Sequence, residues 1–170
     1  CSKGGISMKV VIFIGSDSDY DVVKDALSIL KEYKVSFALE VTSAHRSPAR
    51  TLRLIEDYEE KGVEVFIAVA GKAAHLAGIV AAHTVKPVIG VPVESSSLDG
   101  LDALLSTVQM PKGVPVATMA LGKSGASNAA LLAIQILSLK DSSLVKKLEE
   151  YREKMAAQIE AKSKKIQQKS

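Results

Sequence analysis

Near its start the chain reads Lys9-Val10-Val11-Ile12-Phe13-Ile14-Gly15-Ser16-Asp17-Ser18-Asp19. Val10 to Ile14 are all apolar, with no alternation between two faces. So short an unbroken run reads as a β-strand buried on both sides, as in a parallel sheet covered by helices. Gly15 to Asp19 are small or polar and read as a turn. Val23, Ala26, Leu27 and Leu30 then recur at helical spacing. A doubly buried strand, a short turn and an amphipathic helix make the opening unit of an α/β sheet.

The same alternation continues outward from that unit. Val35, Phe37, Leu39 and Val41 alternate as a strand should. Ser47 and Pro48 mark a helix start, with Pro at the first helical position. Leu52, Ile55 and Tyr58 supply that helix with its apolar stripe. A third strand is expected over Val63 to Ala70, then a helix over about Ala74 to Thr84. Pro87 to Val91 reads as a fourth strand, Leu98 to Val108 as a helix, and Val114 to Leu121 as a fifth strand. The Ala-rich stretch Asn128 to Leu139 reads as a buried helix. The pattern predicts a flavodoxin-like three-layer α/β/α sandwich around a five-stranded parallel sheet, with right-handed crossovers. Residues 8–140 form a single catalytic domain in this reading, and residues 1–7 a leader or expression remnant. Residues 141–170 read as a long amphipathic C-terminal helix. Its seam, Leu144, Leu148, Tyr151, Met155, Ile159 and Ile166, is narrow and near heptad spacing, so it is expected to pack on a neighbouring subunit.

Composition narrows the function classes. The chain has 170 residues, 47% hydrophobic and 24% charged, which suits one soluble globular domain. No apolar run approaches the roughly 18–20 residues of a membrane span. The single cysteine, Cys1, allows neither an internal disulfide nor a thiolate metal cluster, and both fit a cytoplasmic protein. The net charge of +3 is unevenly placed. Residues 140–170 hold nine basic and five acidic side chains, leaving thirteen basic and fourteen acidic in the rest. A nearly neutral body with 4% aromatics and no Trp lacks the basic face and stacking rings of a nucleic-acid binder. The basic tail reads as a solvated helical face.

Ligands of open α/β sheets bind beyond the carboxyl ends of the strands, where strand order reverses. Three of those ends carry unusual sequence. Gly15-Ser16-Asp17-Ser18-Asp19 offers hydroxyls and backbone N–H groups ahead of a helix, suited to a phosphate, and Asp19 suits ribose hydroxyls. Alone it also fits an ordinary turn with an Asp cap. Ser43-Ala44-His45-Arg46-Ser47-Pro48 sets a side chain able to move protons near neutral pH beside a planar fork of phosphate donors. Alone it also fits a capping loop. Gly71-Lys72-Ala73-Ala74-His75-Leu76 allows close backbone approach to a ligand. His75 there also fits a satisfied histidine opening a helix, and His83 reads as structural.

Two other patterns carry little. Ala117 to Ser124 nearly matches the phosphate loop GxxxxGK[ST] but lacks its first Gly and follows the fifth strand. The three histidines show no metal-ligand spacing, so no metal is expected.

Taken together the three loops resemble the class I PurE family, whose site is built from GSxSD, SAHR(T/S)P and AxGGAAHLPG loops. Here they read GSDSD from Gly15, SAHRSP from Ser43 and AGKAAHLAG from Ala70, and similar stretches continue to about Leu139. Lys72 stands where the class I pattern has Gly, and Ala77 where it has Pro. Class II relatives, which use carbon dioxide directly, carry an Arg-Ser-Asn type sequence in this loop. Lys72 leans toward them, whereas Ala73-Ala74-His75-Leu76 stays with class I.

The resemblance implies interconversion of N5-carboxyaminoimidazole ribonucleotide and 4-carboxy-5-aminoimidazole ribonucleotide in purine synthesis, without cofactor or metal. It assigns catalysis to His45, as proton relay, and His75. Substrate contacts fall to Gly15, Ser16, Asp17, Ser18, Asp19, Ser43, Ala44, Arg46, Gly71, Lys72, Ala73, Ala74 and Leu76. It further implies transient carbon dioxide, a homo-octamer, and an ATP-dependent carbamate-forming synthetase as functional partner. Two alternatives stay open: a class II-type aminoimidazole ribonucleotide carboxylase, and a non-catalytic flavodoxin-like nucleotide-binding module.

Overall fold

The computed structural model describes residues 8–168; the expected leader over residues 1–7 lies outside them. The strands are β1 (Val10–Ile14), β2 (Phe37–Val41), β3 (Val65–Gly71), β4 (Val88–Val93) and β5 (Ala117–Thr118). The helices are α1 (Tyr20–Glu32), α2 (Pro48–Glu60), α3 (Leu76–Ala82), α4 (Leu101–Val108), α5 (Gly122–Ser138) and α6 (Ser142–Gln167). Every strand pairing is parallel, and the sheet order is β2-β1-β3-β4-β5. The chain divides into two compact units, one up to Ile134 and one from Gln135 onward.

Val10 to Ile14 are all buried, as a central strand with both faces covered requires. Right-handed crossovers put α1 on one face of the sheet and α2, α3 and α4 on the other, because the chain reverses direction across the sheet after β2. Val11, Phe13, Phe66 and Ala68 share the second face with Ile55 and Tyr58 of α2 and Leu76, Ala77 and Val80 of α3. Phe13 and Phe66 meet there with ring centroids 5.7 Å apart and tilted by 39°, a favourable aromatic arrangement.

The differences from the sequence expectation fall at the ends of elements. β5 is two residues long, not eight. Pro115 has no N–H to give a ladder, Gly113 has φ +102°, and only Ile89 and Gly90 pair with it. Beyond it, Met119 N–H still reaches Gly90 O at 2.9 Å. α5 starts at Gly122, six residues before Asn128, because its Gly- and Ser-rich first turns look like loop in sequence. β2 shows no clean alternation of burial, since it is an edge strand. In α6 burial fades from Leu144, through half-buried Leu148 and Tyr151, to exposed Met155 and Ile159.

Gly90 sets how closely α3 and α4 approach the sheet. A methyl group there would collide with Thr107 Cγ2 and lie 2.9 Å from Val116 Cγ1 and 3.2 Å from Ala77 Cβ. Thr107 is itself tied to α4 by its hydroxyl, which donates to Ala103 O at 2.8 Å. Gly90→Ala is therefore expected to cost about 1–3 kcal/mol, the usual range for overpacking. Adding Thr107→Ser, which removes the methyl and keeps the hydroxyl, should recover part of that loss in a urea titration. No recovery would exclude the Gly90–Thr107 contact as the limiting one.

Candidate functional site

The order β2-β1-β3 brings the three loops singled out in sequence to one edge of the sheet. They line a cleft of about 610 Å³. Gly15, Ser16, Ser18 and Asp19 come from the loop after β1. Ser43, Ala44, His45 and Arg46 come from the loop after β2. Gly71, Lys72, Ala73, His75 and Leu76 come from the end of β3 onward. Asp17 and Ala74 are not in the wall. Asp17 folds back on its own turn, accepting from Ser16 Oγ at 3.0 Å and from Ser18 N–H at 3.1 Å, and Ala74 is buried.

The first loop is a single 3-10 turn, Asp17–Asp19, leading into α1. Asp19 N–H donates to Ser16 O at 3.1 Å, and Ser16 and Ser18 hydroxyls lie 3.0 Å apart. Asp19 is 6% exposed. Burial pushes its carboxyl above the ordinary value, and neighbouring Asp17 adds to the rise. Hydrogen bonds from Ser16 and Ser18 and the charge of Arg46 pull against it without prevailing.

The second loop is held at both ends. Thr42 N–H donates to Ile14 O at 3.0 Å, and buried Thr42 and Thr51 share a hydroxyl contact of 2.8 Å. Ser43 Oγ accepts from Arg46 N–H at 3.1 Å, while Ser47 Oγ accepts from Ser43 N–H at 3.1 Å. Ser47 thus closes the loop and does not cap α2 with its side chain. Behind it, Glu40 accepts from Tyr58 OH at 2.8 Å and from Arg50 Nη2 at 2.9 Å. Burial, together with the Glu40 carboxylate, pushes the Tyr58 hydroxyl up to about 12, so it remains a donor. Arg46 Nη2 donates to Gly15 O at 3.1 Å, which sets a guanidinium beside the first loop.

The third loop meets the second through two histidines. His45 Nε2 lies 2.8 Å from His75 Nδ1, and the rings are edge-on at 79°. One ring supplies the N–H and the other the bare nitrogen, so the pair shares a proton between two elements 30 residues apart. His75 is exposed and sits at the N-cap of α3, with its N–H donating to Ala73 O at 2.8 Å. A smaller pocket of about 240 Å³ adjoins the pair, walled mainly by Ala44, Gly78, Ile79 and Met110. His83 is apart from the cleft, with Nδ1 2.8 Å from Ile79 O. Among the described residues no cluster of three or more His, Cys, Asp or Glu could hold a metal ion.

Sequence reading missed Ala70 and Ser95, which also line the cleft. Ser95 follows β4, and the hydroxyl-rich run Glu94-Ser95-Ser96-Ser97 at a strand's carboxyl end was the available signal. Gly71 makes room for it, since a Cβ at Gly71 would overlap the Ser95 side chain. Lys72, next along, has φ +55°. A non-glycine residue in this left-handed region costs roughly 1–2 kcal/mol.

The chain resembles known proteins over most of its length. A family model described as AIR carboxylase matches residues 9–158. The N5-carboxyaminoimidazole ribonucleotide mutase of Pyrococcus abyssi is 54% identical over 147 residues, covering 86% of this chain and 83% of that protein. The mutase of the same name from Bacillus subtilis is 54% identical over 144 residues, covering 85% and 89%. Among solved structures, Treponema denticola PurE superposes with a TM-score of 0.82 at 30% identity, covering 92% of this chain and 96% of that one.

The environment of Asp19 has a measurable consequence. Asp19 holds its proton more tightly folded than unfolded, so ionising it opposes folding. That opposition is absent below the ordinary carboxylate value of 3.8 and grows as pH rises through the higher folded value. Asp19→Asn should therefore raise the thermal midpoint at pH 7, and the gain should shrink as pH falls toward 3.8. A gain that is the same at pH 7 and pH 4 would remove burial of the charge as its cause.

Proposed function

The chain belongs to the AIR carboxylase family, and on that premise we propose how its site interconverts N5-carboxyaminoimidazole ribonucleotide and 4-carboxy-5-aminoimidazole ribonucleotide. It is an enzyme, a mutase of purine biosynthesis. The observation that carries the mechanism is the His45–His75 hydrogen bond inside a cleft that also holds Ser16, Ser18 and Arg46.

The ribose phosphate lies against the Ser16 and Ser18 hydroxyls, the N-terminus of α1 and the Arg46 fork. Asp19 accepts from the ribose. The base then reaches the histidine pair. The bond between the exocyclic nitrogen and the carboxyl carbon breaks, leaving its electron pair on nitrogen, and His45 gives that nitrogen a proton. Ring carbon 4 attacks the freed carbon dioxide. The proton displaced from carbon 4 returns to His45, so atoms and charge balance with no cofactor. His75 holds the His45 ring and shares the proton in between. Ala44, Ala70, Ala73 and Leu76 give the cleft apolar wall that suits a neutral molecule and excludes water. Retained there, carbon dioxide reacts as if intramolecular.

The carbamate is supplied by an ATP-dependent carbamate-forming synthetase, as the family resemblance implies. A cytoplasmic location fits the single cysteine and this chemistry. No helix among the described residues is long and apolar enough to cross a membrane.

The working assembly is a homo-oligomer, an octamer by the same resemblance, with the second half of α6 packed on another copy of the chain. Met155 and Ile159 are 42% and 65% exposed along one stripe of a helix about 39 Å long at 1.5 Å per residue. Covering each large apolar side chain contributes about 1.5–3 kcal/mol, and closed symmetry multiplies the contacts.

Two outcomes are expected. With carbamate substrate and bicarbonate removed, the wild-type chain should form product at full rate, and His45→Asn should lose about 10²–10⁴-fold in kcat while still binding nucleotide. Product that appears only with added carbon dioxide would favour direct carboxylation, and a His45→Asn variant of near-normal rate would end the relay assignment. By light scattering, the full chain should have a mass near eight subunits, and a chain ending at Lys140 a smaller one. A monomeric full chain would refute the packing of α6.

A further inference from the structure

Among the residues lining the cleft, Lys72 alone has a positive φ. Glycine adopts that conformation freely and lysine does not, so the backbone at this position is strained for the side chain it carries. The side chain is exposed at the cleft. It makes no ion pair or hydrogen bond with any described residue. The buried carboxylate of the cleft, Asp19, is acted on by Arg46 as its cation. Lys72 is thus a charge held at the cleft with no described residue paired to it.

Position separates the two cations. Arg46 is tied to Gly15 O, over the β2 and β1 side of the cleft with Ser16 and Ser18. Lys72 leaves the end of β3, where Gly71 pairs with Val93 of β4, and lies three residues before His75. Arg46 follows β2 and Lys72 follows β3, which flank β1 and so lie two strand spacings of about 4.8 Å apart, a separation that lets the two cations meet different groups of one ligand. The nucleotide of the proposed reaction has two anionic groups, a phosphate and a carboxylate. With the phosphate at Arg46, the carboxylate falls to the histidine side.

We infer that Lys72 binds the substrate carboxylate beside the His45–His75 pair and is a specificity-determining residue for carboxylated over uncarboxylated ribonucleotide. The inference rests on the mutase reading. Its chemistry makes a distinctive demand. Both the carbamate and the carbon 4 acid carry a carboxylate, whereas the intermediate carbon dioxide is neutral. An ammonium at this point therefore binds the two end states and not the stage between them. Such binding lowers KM without raising kcat.

The test compares Lys72→Met, which removes the charge, with Lys72→Gly, which removes charge and strain together. Both should raise KM about tenfold in each direction of the reaction, with kcat unchanged or higher. Both should weaken 4-carboxy-5-aminoimidazole ribonucleotide about tenfold by calorimetry, yet change binding of aminoimidazole ribonucleotide less than twofold. The thermal midpoint of Lys72→Gly should be no lower than that of the parent, which separates lost charge from lost structure and keeps the test decisive if Lys72→Met folds poorly. Equal losses for the two nucleotides would put Lys72 on the phosphate, and unchanged binding would leave it a solvated lysine; either overturns the assignment. Wild-type chain that turned over neither carboxylated nucleotide would overturn the mutase reading itself.

Discussion

β1, β2 and β3 are parallel neighbours, so their carboxyl ends open onto the same edge of the sheet. That constraint comes from burial. Val10 to Ile14 have no polar face and can be satisfied only by a strand on each side and a layer of helices above and below. Right-handed crossovers then send α1 one way and α2 and α3 the other, so the loop after β1 diverges from the loops after β2 and β3 and leaves a gap. The cleft is that gap. Histidines 30 residues apart meet across it because the strand order is β2-β1-β3.

Several groups around the cleft stand at a cost to fold stability. Asp19 loses hydration to burial, and a helix N-terminus with two serines does not fully compensate it. Lys72 occupies a backbone region suited to glycine. His45 and Arg46 stand exposed on a loop whose own order comes from elsewhere: the Thr42–Thr51 contact, the Ser43–Ser47 pair, and the Glu40, Tyr58 and Arg50 group behind α2. The surrounding structure can hold these costs because it is closely packed. At Gly71 and Gly90 even one added methyl group has no room.

Charge is distributed with the same economy. The body is nearly neutral, and the two cations lining the cleft, Arg46 and Lys72, come from different loops. The hydrogen-bonded histidines His45 and His75 line the same cleft.

Much of this was legible in the order of residues. Hydrophobic periodicity alone yields the alternating strands and helices, because burial on two faces, one face or none leaves different spacings. The loops GSDSD, SAHRSP and AGKAAHLAG announce a site because polar and glycine-rich residues at strand ends have no role in a core. Other features were not legible. Pairing of His45 with His75 depends on which strands are neighbours, and periodicity is blind to that. Ser95 joins the cleft only because Gly71 lacks a side chain and β4 lies beside β3. The shortness of β5 follows from its place at the sheet edge next to Pro115 and Gly113. Residue types and their spacing determine local conformation and the chemistry on offer. Only the tertiary structure decides which of those groups come within 3 Å of each other, because such distances are set by packing between segments far apart in the chain.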